Sequence, residues 1–248
     1  MTSSDVVFRV VATSPGNQRL RVEIEVSAPF TSPSLKLSFP RWVPGSYFLR
    51  EPIQHVSHLE AHDERGSPLK VVRKEVDSIV IKDVQSVETV RIRYLLLCVD
   101  NTVRSNHFDE THLHLMPPFT WFLPVSGIAM NRMNMPHQIE FILPSAWNVS
   151  TQLALQDVQK RDDGRLHVFV AEHRDALLDG IAECNENEIH QFTVDGRHHS
   201  LHYWDAGGHA PNQVMLQRFI EDMKRIIAEH HAVFGPLEEP YHTILHLT

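Results

Sequence analysis

The sequence is short of cysteine, of positive charge and of long apolar runs, and each shortage closes off a class of protein. Only Cys98 and Cys184 are present, without Cys-x-x-Cys spacing, which argues against a disulfide framework or a thiolate zinc site. Acidic residues outnumber basic ones by 31 to 23, for a net charge of −8, and no basic run offsets this. Nucleic-acid binders concentrate Lys and Arg on one face, so no nucleic-acid partner is expected. The longest apolar run, Tyr94–Val99, is far too short to span a bilayer, so no membrane partner is expected either. The opening "MTSSDVVFRVV" has no basic stretch followed by a long apolar core. No signal peptide is read there, and a reducing cytoplasm is the expected location. A phosphate-cradling Gly-rich loop and a Gly-x-Ser-x-Gly elbow are also missing, as is a paired Cys/His/Asn signature.

What the chain has in quantity is strand pattern. At 248 residues with 42% hydrophobic content it can bury one large core or two ordinary ones. In "LRVEIEV" (Leu20–Val26), apolar Leu20, Val22, Ile24 and Val26 alternate with Arg21, Glu23 and Glu25, the pattern of a half-buried antiparallel strand. "VRIRYLL" (Val90–Leu96), "QIEFIL" (Gln138–Leu143) and "LHVFVA" (Leu166–Ala171) repeat it. Turn chemistry separates them at Ser14–Asn17, Asp63–Pro68 and Arg161–Arg165. The expectation is a mainly β protein, with an antiparallel sandwich or saddle-like sheet first.

The pattern changes after about Asp175. "HQFTVDGRHHSLHYW" (His190–Trp204) reads as a hairpin turning at Asp195-Gly196. A helix is predicted from about Pro211 to Phe234, where Leu216, Phe219, Ile220, Met223, Ile226 and Ile227 recur at helical spacing. Pro211 suits its first turn, and Gly235-Pro236 suits its stop. The chain then ends inside a period-2 segment, Tyr241–Leu247, which reads as a strand cut short of its next element. A domain boundary is placed near residue 178.

Histidine is abundant, with 18 copies, and its clusters invite a metal-site reading that their spacing decides. "HLEAH" (His58–His62) has its Glu in the wrong place for a zincin motif. Read as a strand, it would hold its end histidines about 13 Å apart. In "HFDETHLHL" (His107–Leu115), His112 and His114 share a strand face near Asp109 and Glu110. Thr111 stands where an inverted zinc motif needs His. An exposed His-rich strand face is the plainer reading, with a metal-binding surface around His112 as the alternative. "RHHSLH" (Arg197–His202) is read the same way, and His230 and His231, adjacent on a helix, face different directions.

Two segments are more specific. "FPRWVPGSYFLRE" (Phe39–Glu51) resembles the Trp-x-Pro-Gly-Ser-Tyr-x-x-Arg-Glu signature of the glycyl aminopeptidase family, zinc peptidases that carry a PDZ domain further along. The terminal "FGPLEEPYHTILHLT" resembles the segment that opens that family's metallopeptidase core, and "DALLDGIAECNE" (Asp175–Glu186) resembles the joint between its two domains. Gly180-Ile181-Ala182 replaces Ser-Pro-Val in the joint, and Pro52 stands where an aromatic is usual.

The resemblance implies an N-terminal β domain over 1–178, followed at 179–248 by the first strands and one long helix of an α+β thermolysin-like domain. It implies that the chain stops before a His-Glu-x-x-His helix and its downstream Glu. Zinc would then belong to the full-length protein, with none expected in these residues and no catalytic or metal-ligating residue among them. The implied activity is release of N-terminal Gly or Ala from a peptide substrate with a free N-terminus, and this chain alone is expected to be inactive. Glu183 aligns with the joint's Glu and is the candidate partner of the substrate amine; a structural ion pair or a solvated residue is its plainer role. Tyr47 and Arg50 are candidate substrate contacts at a cleft rim. In the plainer reading Pro44-Gly45 forms a corner, Trp42 and Tyr47 pack on the sheet, and Arg50 beside Glu51 braces the turn. The rival function is a free-standing β-sandwich module that binds peptides or proteins, forming homo-oligomers through the edge of its last strand.

Overall fold

In a computed structural model of the chain, residues 5–43, 46–209, 212–236 and 241–247 are described. The chain opens with strands β1 (Val6–Val11), β2 (Arg19–Ser27) and β3 (Ser34–Ser38). After a loop come β4 (Val56–His62), β5 (Val71–Glu75), β6 (Ser78–Lys82) and β7 (Thr89–Leu97). Next are β8 (His107–Phe108), β9 (His112–Leu115), β10 (Leu123–Ser126), β11 (His137–Leu143) and β12 (Asn148–Ser150). Then follow β13 (Ala154–Arg161), β14 (Gly164–Ala171), the short helix α1 (Arg174–Asp179) and β15 (Ala182–Asn185). The hairpin β16 (His190–Val194) and β17 (Arg197–Asp205), the long helix α2 (Gln213–Phe234) and β18 (Tyr241–Leu247) complete it. The chain divides into two compact units, Met1–Ser145 with Leu153–Ile181, and Ala146–Gln152 with Ala182–Thr248. No described helix is long and apolar enough to cross a membrane.

The first unit holds a seven-stranded sheet, ordered β13-β14-β11-β1-β2-β7-β4, and a four-stranded sheet, β10-β3-β6-β5. The alternation in β2 is realised: Leu20, Val22, Ile24 and Val26 are buried, and Arg21 is exposed. Ile24 faces Ile92 and Val22 faces Tyr94 across the β2–β7 ladder. On the polar face Glu23 binds Arg9 at 3.0 Å and Arg93 at 3.4 Å, while Arg91 binds Glu25 at 3.1 Å. Such cross-strand pairs reinforce the same register as the apolar face. One pair departs from the antiparallel expectation: β1 and β11 run parallel. A long crossover between them makes that possible, and period-2 patterning carries no information on direction.

Aromatic residues beside the smaller sheet fill this unit's core. Phe39 and Phe122 lie 4.2 Å apart by ring centroid, and both meet Tyr94 edge-on. Trp121 packs on Phe8 at 5.3 Å. The Tyr94 hydroxyl donates to the Thr120 carbonyl at 2.5 Å, giving a buried polar tip its partner.

The second unit holds the three-stranded sheet β16-β17-β18, with β18 parallel to β17 after the α2 crossover. Asp195 (φ 48°) and Gly196 (φ 77°) form the hairpin turn that their residue types favour. Asn212 caps α2 by accepting from Val214 N and Met215 N, and Gly235 (φ 81°) closes it by donating to His231 O; Pro211 lies outside the described residues. Leu216 and Ile220 join Phe192, Val194 and Leu201 in the core, with Met223 and Ile227 packed against them. Phe219 and Ile226, placed on that apolar face by their spacing, are instead 39% and 59% exposed. The three strands present too little surface to cover a broad stripe on the helix.

Candidate functional site

Glu183 lies on β15, which pairs antiparallel with β12 and sets Ser150 opposite it. Its side chain has no solvent exposure, a costly place for a carboxylate unless it is paired. His246 on β18 supplies a partner, with its Nε2 2.9 Å from Glu183 Oε2. Asn185, two residues along the same strand face, donates to Glu183 Oε1 at 3.1 Å and to the Tyr203 carbonyl at 3.2 Å. Asn187 in turn donates to the Asn185 Oδ1 from its backbone and to Tyr203 O from its side chain. The edge of the Trp204 indole meets His246 at 5.4 Å.

His202, fully buried on β17, completes the setting. Its ring faces the carbonyls of Asn187 and Glu183 without reaching hydrogen-bond geometry. Burial holds its pKa below the ordinary histidine value, against the pull of the Glu183 charge. Burial also raises the Cys184 thiol well above its usual range, with the Glu183 charge adding to it, so this cysteine is no nucleophile. The arrangement is an acceptor-rich carboxylate, flanked by two imidazoles and oriented by an amide. It suits holding a cation or a proton.

The other two sequence candidates, Tyr47 and Arg50, belong to the first unit. Tyr47 is 97% exposed and Trp42 52% exposed, so neither packs on the sheet as expected. The loop that carries them closes by the Arg50 N to Arg41 O bond of 2.8 Å, outside any strand. Pro44-Gly45 lies outside the described residues. It is Arg41, not Arg50, whose side chain reaches Glu51, at 3.2 Å. The Arg50 guanidinium instead lies over the Phe119 ring, 5.6 Å from its centre. There it lines a polar cleft of about 370 Å³ with His55, Asp100, Arg104 and Asn106.

Of the histidines singled out by spacing, His112 and His107 come together across the β8–β9 hairpin. His114 instead places Nε2 3.4 Å from Val103 O. His58 has φ 53° at a bulge in β4, which breaks the alternation assumed for "HLEAH".

Residues 8–180 match the peptidase M61 N-terminal domain. The chain belongs to that family. No curated protein sequence matches it. Among solved structures, this M61 N-terminal domain protein resembles an aminopeptidase N family protein from Idiomarina loihiensis, at 20% identity and TM-score 0.81. It also resembles an M1 zinc metallopeptidase from Deinococcus radiodurans, at 11% identity and TM-score 0.52. A variant of the latter is bound to a Tyr-Ser-Ala substrate and matches at 12% identity and TM-score 0.52. Each likeness covers 96% of this chain, but the chain spans only 38% of the Idiomarina protein and 55% of the Deinococcus proteins. At these identities the likeness establishes the fold: mainly β, several sheets, one long helix.

The zinc named for the Deinococcus enzymes calls for a His-Glu-x-x-His helix. None of the 18 histidines of this M61 domain chain is followed by Glu, so the residues present do not match that ligand set. Sequence reasoning found Glu183 but missed His246, His202 and Asn185. A signal existed for Asn185, a second polar residue two positions along a short apolar strand. His246 and His202 carried none, because their partner is remote in sequence.

Proposed function

We propose that this M61 chain is the N-terminal portion of a cytoplasmic zinc-dependent aminopeptidase that releases N-terminal Gly or Ala from peptides. A PDZ domain and the zinc-binding helix would lie in the remaining polypeptide, and the present residues alone would hydrolyse nothing. The observation that carries the reading is Glu183. A fully buried carboxylate, held by His246 and Asn185, stands just past the end of the matched M61 domain. An exopeptidase needs a fixed carboxylate to pair with the substrate's free amine, which is largely protonated at neutral pH. In this reading the ammonium takes over the Glu183 oxygen that His246 Nε2 contacts, as a charge-assisted donor. Tyr47 and Arg50 are proposed as further substrate contacts.

The test begins with the intact mass of the protein as its organism makes it, expected well above 28.5 kDa, with His-Glu-x-x-His in the added segment. That longer protein should cleave glycine p-nitroanilide in a chelator-sensitive way and leave the N-acetylated substrate untouched. Glu183→Gln should lower kcat/KM by about 10- to 100-fold, the loss of one charge-assisted hydrogen bond. Equal cleavage of the N-acetylated substrate would remove the amine-anchor role. A native mass of 28.5 kDa would favour the binding module instead.

A further inference from the structure

The β8–β9 hairpin of the first unit holds a donor set that the peptidase reading does not use. His107 pairs with His114 and Phe108 with Leu113 in its ladder, which sets His112 diagonally across from His107 on one face. His107 Nδ1 and His112 Nε2 are 2.7 Å apart, with ring centroids 4.9 Å apart. Both side chains are buried, at 6% and 0% exposure. The Asp109 carboxylate completes the group: one oxygen of it and one nitrogen of each imidazole lie within 4.8 Å of one another.

Asp109 is held in place by its own loop. Its Oδ1 accepts from Thr111 N at 2.7 Å, Thr111 Oγ1 at 2.6 Å and His112 N at 3.1 Å. The three bonds named all fall on Oδ1, and the half-buried carboxylate gives an ion a route in from solvent. Between the two imidazoles, a 2.7 Å separation requires one nitrogen to donate a proton to the other. A tetrahedral ion with metal–nitrogen bonds of 2.0–2.1 Å sets its two nitrogens about 3.3 Å apart. Replacing the shared proton by an ion therefore opens the pair by roughly 0.6 Å, within the reach of small side-chain rotations. Two imidazoles and one carboxylate select zinc or a similar transition ion over calcium or magnesium. β8 is only two residues long, so a bridge from it to β9 would reinforce a short ladder.

We infer that His107, Asp109 and His112 form a binding site for one divalent transition-metal ion of the zinc type, which ties β8 to β9 and leaves a fourth position for water. The 248-residue chain, stripped with chelator and dialysed, is titrated with zinc chloride by calorimetry and with cobalt chloride by visible absorption. One zinc per chain is expected, with cobalt bands of the intensity that four-coordinate sites give. Asp109→Asn keeps an oxygen for the Thr111 and His112 donors, so it should preserve the fold, by circular dichroism, while weakening zinc binding at least about tenfold. His112→Gln and His107→Gln should abolish the cobalt bands, and His58→Asn, at an exposed position, should change nothing. No zinc retained by the unaltered chain would overturn the assignment. So would zinc bound with equal affinity by the Asp109 and His112 variants, because the ion would then sit elsewhere.

Discussion

Replacing His246 by Ala puts the Glu183 setting to its hardest test. The two side chains are 6% and 0% exposed, and their atoms are 2.9 Å apart. The pair is ionic only with His246 protonated. In that form, at an effective dielectric of about 20, unit charges at that distance would attract by roughly 6 kcal/mol before desolvation is counted. Desolvation offsets much of this in the intact pair, so the pair's net worth is small. Deleting one partner is different: the remaining charge keeps its desolvation cost without its counter-charge, and the loss is typically about 3–5 kcal/mol. Glu183→Gln keeps the shape and removes the charge, so it should cost less. The double variant should then cost less than the sum of the two, by a coupling of about 2–3 kcal/mol. Urea unfolding followed by tryptophan fluorescence measures this, and Trp204, at ring contact with His246, reports on the site itself. A His246→Ala loss below about 1 kcal/mol, or additive single and double variants, would show that no buried ion pair exists there.

Other outcomes follow from the same physics. His167, on β14 and 6% exposed, has its pKa lowered from 6.5 to about 4 by burial, with the Arg165 charge second. Its folded-state value lies below the unfolded one, so acid favours the unfolded chain: stability should be full above about pH 6.5 and fall towards pH 4, by up to about 3 kcal/mol. His167→Gln should flatten that part of the pH profile of the urea midpoint, and an unchanged slope would refute it. Tyr94→Phe strips the Thr120 carbonyl of its 2.5 Å donor and should cost about 1–3 kcal/mol in the same unfolding assay. Gly127 has φ 94°, and a Cβ there would lie 2.4 Å from the Ser34 backbone oxygen. Gly127→Ala should therefore cost about 2 kcal/mol or more, and a variant as stable as the parent would show that the β3–β10 edge yields.

Local pattern carried much of this protein. The alternation in β2, β7, β11 and β14 placed strands where they lie, because a side chain's face depends only on its position in its own strand. Asp195-Gly196 and Gly235 marked their turn and helix stop for an equally local reason: both need positive φ. The exposed Trp42 and Tyr47 were misjudged by the same logic, since large apolar area predicts burial only where a surface exists to receive it.

What the sequence determined by itself was therefore element type, buried face, turn chemistry and, through its motifs, a family likeness with Glu183 as a residue of interest. The tertiary structure alone decided that β1 runs parallel to β11 and that residues 146–152 belong with the second unit. It decided too that Glu183 meets His246, 63 positions away, and that the His107 ring bonds His112 diagonally across the hairpin. Strand order and direction arise from how separate apolar faces find one another in space, and no window of sequence contains both partners. Buried polar groups depend on that pairing most of all, because their energy is set by the one atom opposite them.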